Sequence, residues 1–142
     1  MRIRDAQPED AAGLTRLLAA LGYPDDEERV LARAQDLGER HDSFLVVAED
    51  GEVLAGLASA TVLPLFHEDG AWCRLSALVV AESHRRRGLA RALVAEVERR
   101  ALEAGCLYLE VTSGERSGRE AAHAFYESLG LEQVSRRYLK EL

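Results

Sequence analysis

Apolar residues recur along this chain with two different spacings. Leu14, Leu17, Leu18 and Leu21 fall three or four apart, which is one face of an α-helix. Pro8, followed by Glu9 and Asp10, predicts where that helix starts: proline suits a first turn, and acids there meet the positive end of the helix dipole. Gly22 predicts its end. Asp25 or Asp26 is placed to cap a second helix, with Val30, Ala34 and Leu37 on one face. A third helical stripe is Leu89, Leu93, Val97 and Ala101, running to about Ala104 and closed by Gly105. A fourth is Ala122, Phe125 and Leu129, within a helix from about Arg119 to Leu129 closed by Gly130.

The stretches between read as strands. They are residues 2–5, Ser43 to Ala48, Val53 to Val62, Trp72 to Val80 and Cys106 to Thr112, with a last strand or strands between Leu131 and Leu142. Asp50-Gly51 is a two-residue hairpin signal. Pro64 to Gly70 and Ser113 to Gly118 read as loops. Leu78-Val79-Val80 is continuously apolar, the pattern of a strand end buried on both faces. The predicted order is β-α-α-β-β-β-α-β-α-β. The segment from Trp72 to Thr112 is a β-α-β crossover, which requires a parallel pair, whereas the hairpin before it is antiparallel. The expected fold is therefore α/β of the α+β kind: a mixed sheet, mostly antiparallel, with helices on both faces. No linker, repeat or low-complexity tract interrupts residues 1–142, so one domain is expected.

Composition narrows the function. With 47% hydrophobic and 30% charged residues the chain is an ordinary globular protein. No apolar run reaches membrane-spanning length, and Met1-Arg2-Ile3-Arg4-Asp5 lacks the apolar stretch of a signal peptide, so the expected compartment is the cytoplasm, with no membrane partner. The net charge of -7 disfavours a nucleic-acid partner and favours a cationic one. Cys73 and Cys106, each in an apolar stretch, are expected to be buried thiols; with four scattered histidines they make no zinc spacing, and no metal is expected.

One turn stands out against the acidic background. Arg85-Arg86-Arg87-Gly88-Leu89-Ala90 joins the apolar strand to the third helix. A helix start presents unpaired N–H groups and partial positive charge, which suits phosphate. Gly88 lets a ligand approach the backbone and Ala90 keeps the first turn small. On residue chemistry alone this run is either an anion site or a solvated basic surface.

Arg85-x-x-Gly88-x-Ala90 resembles the pyrophosphate-binding motif of the GNAT superfamily of N-acetyltransferases, and Leu78-Val79-Val80 precedes it as an apolar strand does in that family. Downstream, the segment from Ala122 to Leu131, with Phe125-Tyr126 and Gly130, resembles the family's A-x-x-F-Y-x-x-x-G-F helix. The resemblance spans Ile3 to Leu139. It implies a sheet whose central parallel strands splay apart. It also implies acetyl-CoA as cosubstrate, its pantetheine arm beside Leu78, Val79 and Val80 and its pyrophosphate on the amides from Arg86 through Arg91. Arg119, Ala122 and Phe125 would line the cofactor side. The implied activity is acetyl transfer to a primary amine, on a small molecule or a protein, by direct attack in a ternary complex. A homodimer is implied by family habit.

An amine of pKa about 10.4 is neutral in roughly 1 molecule in 2,500 at pH 7, a penalty of about 4.6 kcal/mol that a base or a desolvating site must reduce. By the same resemblance, a backbone N–H left free near Leu78 would meet the developing oxyanion. By the resemblance Tyr126 protonates the leaving thiolate; the alternative is a core aromatic beside Phe125. The base is the departure. Where many relatives carry acids, this chain has Ser76 and Ala77. Glu110 on the next strand is the first candidate, or else an exposed strand charge, with His123 and Glu68 behind it. Arg119 stands where many relatives place Asn. The missing acid also motivates a second reading, a non-catalytic acyl-CoA-binding or sensor domain of the same fold.

Overall fold

The computed structural model describes residues 1–112, 120–135 and 137–142, with Glu120 described by its backbone only. The chain divides into two compact units, Met1–Glu110 and Val111–Leu142.

The first unit is a five-stranded sheet carrying three helices. Its strands are β1 (Arg2–Asp5), β2 (Ser43–Asp50), β3 (Val53–Pro64), β4 (Ala71–Val80) and β5 (Cys106–Val111), the last ending one residue into the second unit. They lie side by side in chain order. β1 through β4 pair antiparallel, and β4 and β5 run parallel, as the crossover requires. The helices are α1 (Ala11–Leu21), α2 (Glu27–Glu39) and α3 (Leu89–Glu103).

The predicted start and stop signals act as expected. Pro8–Asp10 forms a short 3-10 turn that leads into α1. Gly22 closes α1 at φ 109°, and the Tyr23 and Gly22 amides reach back to the carbonyls of Leu18 and Ala19. Asp26 caps α2, its carboxylate accepting from the Arg29 amide at 2.9 Å.

Two cores form because the strands alternate. Leu57 points to one face, where Leu14 and Leu17 of α1 and Val30 of α2 meet Val47 and Val79. Gly56, its neighbour, points to the other, where Leu93 of α3 lies 3.1 Å from the place a Cβ would take. Fully burying a leucine such as Leu14 or Leu93 contributes roughly 2 kcal/mol each. Arg4 ties the sheet edge to the entry of α1: it donates to both oxygens of Asp10 (2.7 and 2.9 Å) and to Glu49. Arg16 donates to the Leu54 carbonyl at 2.8 Å and pins α1 across β3.

β4 carries an irregularity. Ser59 pairs with Ala77 and Ala60 with Leu75, so Ser76 is an extra residue opposite that step. Ala77 and Val79 face α1 and α2, while Leu75 pairs with Ala60 and faces the other way.

Two expectations are corrected. Of Leu78, Val79 and Val80 only Val79 is buried. The partners of the other two across β3 are Ala58 and Gly56, too small to cover them. The second concerns residues 131–142, which form no strand among the described residues. Val134, Tyr138 and Leu139 are each at least 80% exposed, so this segment buries no face that would fix a pairing register.

The second unit contains α4 (Glu120–Ser128). It ends where the Leu131 amide returns to the Tyr126 carbonyl and Gly130 to that of Glu127. The expected loop from Ser113 to Gly118 lies outside the described residues. No helix among the described residues is long and apolar enough to cross a membrane.

Candidate functional site

The turn between β4 and α3 is held from both sides. The Ala81 amide donates to the Ala55 carbonyl at 2.8 Å, so β4 stays tied to β3 up to its last residue. A 3-10 turn, Glu82–His84, follows. At the far side Leu89 and Leu93 are buried and anchor the first turn of α3. Between these anchors the backbone turns sharply. Arg86, at φ 65°, is the one non-glycine residue with positive φ among the described residues, and Gly88 lies at φ 75°. For arginine that conformation is uncommon and costs energy.

Gly88 is the N-cap of α3 and brings no side chain to cap it. The Ala92 amide reaches back to the Gly88 carbonyl at 3.0 Å, and the helix begins at Leu89. The amides of Leu89 and Ala90 therefore have no carbonyl one turn behind them. A Cβ added at Gly88 would meet nothing within 4 Å, so the approach to these amides is open. Arg85, Arg86 and Arg87 are exposed around them. Uncapped amides, a helix dipole and three guanidinium groups fit a diphosphate.

His84 braces this turn in a way the sequence did not announce. Its Nε2 lies 3.0 Å from Asp50 Oδ2 on the β2–β3 hairpin, and its Nδ1 lies 2.8 Å from Ser83 Oγ. Asp50 and His84 are 34 residues apart, so no local pattern joins them.

At the β4 irregularity two hydroxyls meet. Ser76 Oγ donates to the Ser59 carbonyl at 3.2 Å and lies 2.8 Å from Ser59 Oγ. Either hydroxyl can donate to the other, and in each case Ser59 Oγ keeps a lone pair that can accept. Ser76 and Ala77, the positions where acids were looked for, are thus a hydroxyl pair and a methyl group.

Glu110 does not stand alone. Arg74 of β4 donates to its Oε1 at 2.9 and 3.2 Å, joining the two parallel strands. The Trp72 and Tyr108 rings meet across the same pair, tilted, with centroids 5.2 Å apart. Glu68 is exposed. Both cysteines are buried and free. Burial pushes the Cys73 thiol up to about 11 and raises that of Cys106. Neither is a thiolate at neutral pH, so neither is a ready acyl acceptor.

In the second unit, α4 carries Ala122, His123, Phe125 and Tyr126, all partly buried, with the Phe125 and Tyr126 rings 5.7 Å apart. Arg119 lies outside the described residues. The first unit thus joins Leu78–Val80 to Arg85–Arg91 in one strand-turn-helix and sets Glu110 beside Arg74, while the second carries the aromatic pair.

The acetyltransferase (GNAT) family model matches residues 11–131. No curated protein matches the chain significantly. Solved structures do. An acetyltransferase from Trypanosoma brucei is 25% identical with a TM-score of 0.82, covering 99% of each chain. An aminoglycoside N-acetyltransferase in complex with CoA is 20% identical with a TM-score of 0.86, covering 99% of this chain and 93% of that one. Glucosamine-6-phosphate N-acetyltransferase from Arabidopsis thaliana is 19% identical with a TM-score of 0.84, covering 99% of this chain and 97% of that one. The fold of this chain is theirs, the family match takes in the β4 turn and the Phe125-Tyr126 helix together, and the chain belongs to the acetyltransferase (GNAT) family of acyltransferases.

Proposed function

We propose that this protein transfers the acetyl group of acetyl-CoA to a primary amine by direct attack in a ternary complex. The observation that carries the reading is the turn at the head of α3, with its uncapped amides, its two positive-φ residues and its exposed arginines. Bound there, acetyl-CoA supplies an activated acyl carbon. The amides of Leu89 and Ala90 would hold its pyrophosphate, with Arg85, Arg86, Arg87 and Arg91 screening the charge. Leu78, Val79 and Val80 would run beside the pantetheine arm.

In the transfer the ammonium first gives one proton to solvent; the neutral amine then forms the C–N bond and sheds a second proton, the C–S bond breaks, and the sulfur leaves with its electron pair and takes up a proton. Direct transfer is supported by the thiols: Cys73 and Cys106, held protonated by burial, are unsuited to carry the acetyl group. Tyr126 is the proposed proton donor to sulfur, on the strength of the family helix it occupies. Glu110 is the proposed proton relay from the amine; its partnership with Arg74 means that only its second oxygen would be offered. Arg119, Ala122 and Phe125 complete the proposed cofactor side.

Isothermal titration with acetyl-CoA, beside an Arg87→Glu/Gly88→Asp variant shown by circular dichroism to be folded, tests the reading. Micromolar binding lost in the variant, with thiol release on adding amines, supports it. Tyr126→Phe should then lower kcat by 10-fold or more while leaving acetyl-CoA affinity unchanged. Absence of acetyl-CoA binding overturns the reading. Binding without turnover over a broad amine panel would favour the acyl-CoA sensor instead.

A further inference from the structure

A cavity of about 340 Å³ lies between α1, α2 and the sheet. That volume sits at the lower end of small-ligand pockets and, at about 30 Å³ per water-sized group, has room for roughly eleven such groups. Its walls are hydrocarbon: Leu14 and Leu18 of α1, Val30 and Leu37 of α2, Leu45 and Leu57 of the sheet. Its polar lining is of two kinds. Ser59 lies on the sheet side, beside Ala77, and Arg33 and Asp36 belong to α2.

Those two charges are already engaged. Arg33 donates to Asp25 at 2.8 Å, and Asp36 accepts from Arg40 at 3.1 Å. Asp36 is the one carboxylate in the lining, and it is exposed on α2 beside Arg40, so no buried acid awaits an ammonium group among the leucines. A polycationic aminosugar would have to leave charges unpaired against leucine, which is strongly disfavoured. The floor makes the opposite offer. The two hydroxyls lie 2.8 Å apart, and whichever of them donates, Ser59 Oγ keeps a lone pair that can accept. It matches a single N–H donor.

We infer that the acceptor is a monoamine with a compact apolar body, aliphatic or aryl. The body fills this cavity and the nitrogen lies over the Ser59–Ser76 pair. The inference rests on the proposed acetyl transfer and names its substrate class. The reaction is unchanged: one C–N bond forms, one C–S bond breaks, and one proton passes from nitrogen to sulfur by way of solvent or side chains.

The experiment follows thiol release from acetyl-CoA with 2-phenylethylamine and hexylamine against kanamycin and a lysine-containing peptide. The expected result is a kcat/KM at least 10-fold higher for the two apolar monoamines. Ala34 also lines the cavity. Ala34→Phe should raise KM for 2-phenylethylamine at least 10-fold and leave the acetyl-CoA Kd unchanged. Should Ala34→Phe fail to fold, Ala34→Leu serves in its place, and saturation-transfer NMR with 2-phenylethylamine on the wild-type protein reads the cavity directly. Turnover of kanamycin or the peptide equal to that of the monoamines, or a KM indifferent to Ala34, overturns the inference and leaves acetyl transfer standing. Loss of acetyl-CoA binding in the wild-type protein would instead remove the reading beneath it.

Discussion

Two glycines in two helices allow one substitution to be tried with opposite outcomes. Gly13 lies in α1 and Gly38 near the end of α2. In either helix, alanine in place of glycine should contribute up to about 1 kcal/mol through helix propensity alone. At Gly38 a Cβ would meet nothing within 4 Å, so Gly38→Ala keeps most of that gain, about 0.5–1 kcal/mol so close to the helix end. At Gly13 the new Cβ would lie 2.8 Å from the Cβ of Leu54 and 3.0 Å from its Cδ2. Carbon atoms prefer about 3.5–4.0 Å. A Cβ cannot rotate away as the end of a side chain can, and Arg16 holds the same helix to the Leu54 carbonyl. α1 must therefore move, an overpacking cost of about 1–3 kcal/mol that outweighs the propensity gain. The net expectation for Gly13→Ala is a loss of about 1 kcal/mol. At about 3 °C per kcal/mol for a chain of this size, Tm should fall by about 3 °C in Gly13→Ala and rise by about 1.5–3 °C in Gly38→Ala. Thermal and urea unfolding followed by circular dichroism read both. Equal stabilisation by the two substitutions would refute the close contact of α1 with β3.

Three more expectations follow from the same geometry. His84→Ala, which removes the brace to Asp50, should raise the acetyl-CoA Kd roughly five-fold, about 1 kcal/mol, with little change in Tm, by titration calorimetry. Hydrogen bonds from Arg99, and then from Arg100, hold the Glu96 carboxyl down to about 2. Its folded pKa lies below its unfolded one, so its stabilisation is present above about pH 4.5 and lost as pH falls towards 2; urea midpoints should decline across that window, less steeply in Glu96→Gln. Cys73 is raised instead, to about 11, so it stabilises the fold below about pH 9, and that contribution is lost as pH rises through 11. Native protein at pH 8 should accordingly leave Cys73 unlabelled by a thiol reagent that modifies it in urea.

Most of the architecture was legible because it is written in local signals. The leucine stripe of α1, the Asp26 cap, the Asp50-Gly51 turn and the glycine closures each act within a few residues, and the crossover from Trp72 to Thr112 fixed the parallel pair. The turn at Arg85–Ala90 was legible for the same reason. What escaped is what joins distant positions. The Asp50–His84 brace, the Arg74–Glu110 pair and the Ser59–Ser76 hydroxyls span 17 to 36 residues. The apolar lining of the cavity under α1 and α2 was not legible because its walls are the same leucines that signal an ordinary core. The strand expected in residues 131–142 failed for a related reason: strand-like residues need a partner, and composition does not say whether one is there.

The extra residue in β4 has a consequence for how this chain can change by insertion and deletion. Along an ordinary strand, losing one residue exchanges inside and outside for everything beyond it. Ser76 is the exception. Its removal would leave Ala77 opposite Ser59 and Leu75 opposite Ala60, with every other β4 side chain still on its present face. A single-codon loss at that position would thus erase the Ser59–Ser76 hydroxyl pair and spare the hydrophobic arrangement around it, whereas the same loss at Leu78 would turn Val79 away from Leu14 and Leu17. The hydroxyl pair on this strand and the scaffold beneath it can therefore be gained or lost separately.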